Sequence, residues 1–120
     1  MSKKTVVIGA SDNPERYAFK AAVQLNKHGH PVIPVGLRDG MIADIKILKG
    51  FPPVKDVDTV TLYVGPANQA YWYDYILELK PKRIIFNPGT ENPELEQMAQ
   101  NKGIEVQEAC TLVLLSIGDY

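Results

Sequence analysis

The segment Gly9-Ala10-Ser11-Asp12-Asn13-Pro14 carries residue types that hold an anion. It follows the run Thr5-Val6-Val7-Ile8 and precedes an amphipathic pattern. A glycine closing a strand lets backbone approach a ligand closely. A helix starting just beyond it offers free N–H groups and a partial positive charge, which suits phosphate. Ser11 adds a hydroxyl. The spacing is not G-x-G-x-x-G, because no third glycine is present. An ordinary capped turn, with Asn13 as the cap, would use the same residues.

Arg38 is the second candidate, in Val35-Gly36-Leu37-Arg38-Asp39. A site for NAD usually places Asp or Glu near the end of the second strand, against the ribose hydroxyls. Here the first charge is an arginine, which suits an extra ribose phosphate, as in NADP or coenzyme A. A solvated surface arginine would read the same. Val64-Gly65-Pro66 and Asn87-Pro88-Gly89-Thr90-Glu91-Asn92 are turns that can pass close to a flat base or a pantetheine arm.

Other chemistry finds less support. His28 and His30 flank Gly29, between a helix and a strand, on the edge of the fold away from ligands. With no third histidine and one cysteine, zinc ligation is not expected. Cys110 lies past the last strand on the ligand side. A lone cysteine usually packs as a small hydrophobe. Neither it nor Ser11 has an evident base, so no catalytic constellation is expected. Tyr71, Trp72, Tyr73 and Tyr75 crowd one helix and either pack the core or face a partner.

The elements that must position these residues alternate, short β-branched runs with longer helical patterns. Strands are expected at Thr5–Ile8, Val32–Val35, Thr59–Val64, Arg83–Phe86 and Ile104–Val106. Lys46-Ile47-Leu48 reads as a short extended piece inside an irregular stretch. Pro34 argues that the second strand is an edge or a strand end. Asn13 is expected to cap a helix starting at Pro14, with Ala18, Ala21, Ala22 and Leu25 on one face. A second helix runs to about Leu79, where Pro81 stops it. Asn92 caps a third, with Pro93 first and Glu94 in its first turn, and Thr111–Ser116 forms the last. Five strands in alternation with five helices predict a single Rossmann-like, doubly wound parallel domain over residues 1–120. A flavodoxin-like strand order is the competitor.

Composition sets the outer bounds. The chain has 120 residues, 45% apolar and 22% charged, with 13 Lys/Arg against 14 Asp/Glu. That balance excludes a strongly basic nucleic-acid binder. Residues 1–60 carry nine basic and six acidic groups (+3), residues 61–120 four and eight (−4), consistent with an anion site in the first half. A single cysteine, no signal-peptide pattern and no apolar run near the roughly 20 residues of a membrane span point to the cytoplasm.

Val7-Ile8-Gly9-Ala10-Ser11 with Pro14-Glu15-Arg16, and Gly29-His30-Pro31-Val32-Ile33-Pro34-Val35, resemble the small coenzyme A-binding proteins. These are similar to the N-terminal domain of the succinyl-CoA synthetase α subunit. Ile85-Phe86-Asn87-Pro88-Gly89-Thr90-Glu91-Asn92 and Glu108-Ala109-Cys110 look like later motifs of one branch of that family. The resemblance implies a Rossmann-like fold with CoA or an acyl-CoA across its carboxyl edge. Gly9, Ala10, Ser11 and Asn13 would belong to the phosphate loop, and Arg38 would approach the ribose phosphate. Val64, Gly65 and Pro66 would hold the adenine end, while Asn87, Pro88 and Gly89 would flank the thiol arm. Many members have Asn-Pro where this chain has Gly36-Leu37. Ligase activity is not implied, because the synthetases rely on a phosphorylated histidine in a further domain. The expectation is a non-catalytic or regulatory CoA-binding module with a possible protein partner. An NADP- or flavin-binding oxidoreductase subunit and a protein-interaction module are the alternatives.

Overall fold

The computed structural model describes residues 2–120. Its strands are β1 (Thr5–Ile8), β2 (Val32–Gly36), β3 (Met41–Ile42), β4 (Ile45–Lys46), β5 (Leu48–Lys49), β6 (Thr59–Leu62), β7 (Arg83–Phe86) and β8 (Glu105–Glu108). Its helices are α1 (Tyr17–Lys27), α2 (Tyr73–Glu78), α3 (Pro93–Asn101) and α4 (Thr111–Ser116), with two 3-10 turns at Pro66–Asn68 and Ala70–Trp72. No described helix is long and apolar enough to cross a membrane.

Period-two alternation divides the core between the two faces of the sheet. Val6, Ile8, Val60, Leu62, Ile84 and Phe86 pack with Trp72, Ile76, Leu95 and Ala99, from the α2 and α3 side. Val7 and Ile85 pack with Ala18, Ala22, Leu25, Leu114 and Leu115, from α1 and α4. β1, β6 and β7 are buried along their whole length, as parallel strands covered on both faces must be.

The strand order is β5-β2-β1-β6-β7-β8, all pairs parallel. This is the 3-2-1-4-5-6 winding of the doubly wound fold. The sheet therefore has six strands, not five. The sixth is β5, two residues long, beside the piece read as extended from Lys46 to Leu48. Without β5 the order would be 2-1-3-4-5, the flavodoxin-like pattern, so two residues separate the alternatives. β3 and β4 form a separate antiparallel hairpin.

Five helices were expected, and four form. The hairpin and β5 replace a crossover helix between β2 and β6. β2 is not an edge strand, but Pro34 still leaves its mark: pairing with β5 begins at Val35, just after it. α1 begins at Tyr17 rather than Pro14. Residues 13–16 instead form a single turn, closed by the Arg16 N–H on the Asn13 carbonyl (3.0 Å). β6 stops at Leu62, two residues early, and β8 spans Glu105–Glu108 rather than Ile104–Val106.

Candidate functional site

The chain winds outward from β1 through β2 to β5, then returns to start β6 on the other side of β1. Such a reversal leaves a crevice beyond the carboxyl ends of the strands. A cleft of about 740 Å³ opens there, lined by residues 9–13, the start of α1, the loop after β2, Ile47 and Tyr63.

Gly9 and Gly36 let the loops around it close up. Gly9 has φ +91°, and a Cβ there would lie 2.8 Å from the Tyr63 carbonyl oxygen. A Cβ on Gly36 would lie 2.5 Å from the carbonyl oxygen of Ala10. The N–H groups of Gly9 and Ala10 both donate to the Val35 carbonyl, each at 3.0 Å. Their amides are thus engaged, and these two residues contribute the shape of the loop. Ser11 Oγ accepts the Asn13 N–H (3.1 Å), and Asn13 Oδ1 accepts the Glu15 N–H (3.0 Å).

This leaves α1 without a side-chain cap. Arg16 occupies the N-cap position in extended conformation, with no capping hydrogen bond. Arg16, Tyr17 and Ala18 all line the cleft. The first-turn amides, with the positive end of the helix dipole, are thus available to an anion. Arg16 and Arg38 bring positive charge to the lining; Asp12, Glu15 and Asp39 bring negative charge, and Asp39 pairs with Lys49 at 3.2 Å. The charges nearly cancel, so anion affinity rests on directed donors rather than on a broad positive field. Leu37, Ile47 and Tyr63 supply apolar surface. The Tyr63 hydroxyl is buried and has no hydrogen-bond partner among the described residues. Burial pushes its ionisation well above the ordinary tyrosine range, so it stays a neutral phenol.

The structure thus gathers Gly9, Ala10, Ser11, Asn13 and Arg38 around one cleft. Val64, Gly65, Pro66, Asn87, Pro88 and Gly89 lie after β6 and β7 on the same edge but are not among its lining residues. Asn87 is buried, and its side chain serves the fold. Its amide donates to Thr61 Oγ1 (2.7 Å) and the Leu62 carbonyl (2.9 Å), and its Oδ1 accepts the Thr111 N–H (2.9 Å). Pro88 and Gly89 remain exposed. Cys110 is half-buried at the start of α4 and does not line the cleft. His28 and His30 sit at the opposite edge, where His30 Nδ1 accepts the Lys3 N–H (2.9 Å).

Sequence reasoning missed Arg16, Tyr17 and Tyr63. Placing the helix start at Pro14 hid the first two. It also missed Gln69, fully buried, whose amide donates to the carbonyls of Val64 (2.8 Å) and Thr90 (2.7 Å). Asn92 in turn donates to Gln69 Oε1 (2.9 Å) and the Tyr73 hydroxyl (2.8 Å). The loops after β6 and β7 are thereby fastened together. A lone glutamine in a turn carries no sequence signal for this role. No group of three or more His, Cys, Asp or Glu suited to a metal occurs among the described residues.

Comparison with known proteins bears on the family and the fold. The family model described as CoA binding domain matches residues 3–116. A crystal structure of an uncharacterized protein is 51% identical, with a TM-score of 0.98 over 100% of this chain and 99% of that one. A hypothetical protein from Pyrococcus horikoshii OT3 is 26% identical, with a TM-score of 0.81 over 93% and 80% of the two chains. A Thermus thermophilus protein, 21% identical, shares the fold with a TM-score of 0.85 over 99% and 91%. No curated protein matches the chain significantly.

Proposed function

The chain belongs to the CoA-binding domain family, and from that premise we propose that the cleft beside α1 binds coenzyme A or an acyl-CoA by its phosphates. The carrying observation is the uncapped first turn of α1 between Arg16 and Arg38, at the carboxyl edge of β1 and β2. Ser11 and the first-turn amides take the pyrophosphate. Arg38 takes the ribose phosphate, and Leu37, Ile47 and Tyr63 give the ligand an apolar wall. Val64, Gly65 and Pro66 meet the adenine end. Pro88 and Gly89, held in place by Asn87, flank the thiol arm. The bound group would supply a thiol able to carry an acyl chain.

The role is non-catalytic or regulatory. The cleft lining includes no histidine or cysteine. Its Ser11 Oγ accepts a backbone N–H and keeps its own O–H free to donate to a phosphate oxygen, and Tyr63 is held neutral. Asp12, Glu15 and Asp39 line the cleft, but among the described residues none of them hydrogen-bonds Ser11 Oγ.

Calorimetric titration with CoA, 3′-dephospho-CoA, NAD and NADP tests the reading. CoA is expected to bind more tightly than dephospho-CoA by about tenfold, near 1.4 kcal/mol, and Arg38→Gln is expected to erase the difference. No CoA binding at millimolar concentration would overturn the proposal. Equal affinity for CoA and dephospho-CoA would remove the role of Arg38 alone.

A further inference from the structure

A second recess, of about 430 Å³, lies outside the CoA cleft and shares no lining residue with it. One wall is the segment Phe51-Pro52-Pro53-Val54-Lys55, and the other is the outer face of α2 with the turn before it. Tyr71, Asp74, Tyr75, Glu78 and Leu79 fall at i, i+3, i+4, i+7 and i+8, a single helical stripe.

The recess is built rather than accidental. The Tyr75 hydroxyl donates to the Pro52 carbonyl (2.6 Å) and fixes the segment to the helix. Phe51 and Tyr71 rings lie 5.0 Å apart and stay 47% and 58% exposed. Trp72 closes the cluster from beneath, its ring 5.0 Å from Tyr71 and 5.6 Å from Phe51. Two adjoining aromatic rings left half in water mark a contact surface more than a packing need.

The flanking charges specify its occupant. The charged residues of the lining are Asp74, Glu78 and Lys55, a net of −1; all three are exposed, and neither carboxylate has Lys55 or another basic group within 4.0 Å among the described residues. Asp74 suits the first turn of α2, where the helix dipole favours an acid. Glu78 ends the helix, where the dipole opposes it. Helix stability therefore gives no reason for Glu78. Aromatic faces beside two unpaired carboxylates are the chemistry that receives a guanidinium, which stacks on rings and pairs with carboxylates in one plane. Lysine, a compact and strongly hydrated charge, uses the flat rings less well.

We propose that this recess docks an arginine side chain presented by a protein partner. The test titrates the full chain, at low ionic strength, with the peptide Ac-Gly-Arg-Gly-NH2 and its citrulline counterpart. Trp72, the one tryptophan in the chain, reports by fluorescence, and amide chemical shifts map the contact. The arginine peptide is expected to saturate at about 1–10 mM, with shifts confined to residues 51–55 and 71–79. Citrulline, of equal shape but uncharged, is expected to bind about tenfold more weakly, and the Asp74→Asn/Glu78→Gln variant to lose a similar factor. CoA affinity stays unchanged in that variant. No saturation by about 50 mM, equal binding of citrulline, or shifts mapping elsewhere would overturn the proposal.

Discussion

Gly9 shows how tightly a single position can be determined. Its positive φ and the Tyr63 carbonyl, 2.8 Å from where a Cβ would stand, both oppose any side chain. Gly9→Ala should cost about 1–3 kcal/mol, read as a lower urea midpoint at unchanged slope. A midpoint within error of the parent would show that the loop can yield. CoA affinity should fall as well, because the same backbone shapes the phosphate loop. Gly9 was legible in the sequence, since a glycine after an apolar β-branched run has few other reasons to exist. Asn87 was legible only as a residue of the right edge. Its three hydrogen bonds join β6, β7 and α4, and partners so distant in sequence leave no local trace. The same holds for Gln69, bonded to residues 5 and 21 positions away.

Among the elements, those whose burial is set by their own residues could be read in advance. β1 and β7 carry apolar residues on both faces, β6 alternates buried threonine with Val60 and Leu62, and α3 carries its own cap: Asn92 Oδ1 accepts the N–H groups of Glu94 (3.1 Å) and Leu95 (3.4 Å). β5 was legible only as a short extended piece, Lys46-Ile47-Leu48, and not as a strand of the sheet, because two residues beside a proline-bearing strand have no periodicity. The start of α1 was misplaced for a more informative reason. Asn13 and Pro14 are good opening residues, but here they serve a separate turn, leaving Arg16 at an N-cap that no side chain fills. A local rule broken at a ligand-facing helix end suggests that function sets the residue. Arg16→Ser should cap α1 and raise stability by about 0.5–2 kcal/mol, while weakening CoA binding by removing a cation and engaging an amide. Thermal melts and calorimetry on the same variant check both halves. A stabilised protein with undiminished CoA affinity would show that the first turn is not where the phosphates lie.

Across the whole molecule, the two edges of the sheet do different work. The carboxyl edge is opened by glycines into a cleft. The amino edge is closed by a polar network that ties the two ends of the chain together. Lys3 Nζ donates to the Tyr120 carbonyl (2.6 Å), and the hydroxyls of Thr5 and Tyr120 share a hydrogen bond. Arg83, stacked on the Tyr120 ring at 4.5 Å, donates to Thr59 Oγ1 (3.1 Å) and Gln107 Oε1 (3.2 Å). His30 is the group in this network whose side-chain type ordinarily titrates near neutrality. Its ring lies 4.9 Å from that of Tyr120, and its Nδ1 accepts the Lys3 N–H, so protonating it forfeits that bond. Burial, helped by His28 and Lys3 and opposed by Asp58, holds its pKa below 6.5. A depressed histidine pKa means the unfolded chain takes up the proton first. Stability is therefore full above 6.5 and declines as pH falls from there through the folded value. His30→Gln offers an acceptor oxygen that does not titrate. Urea midpoints measured from about pH 7 down to about pH 5 should fall for the parent and stay nearly level for the variant. Parallel declines in the two proteins would assign the pH sensitivity to the carboxylates and leave His30 without a part in it.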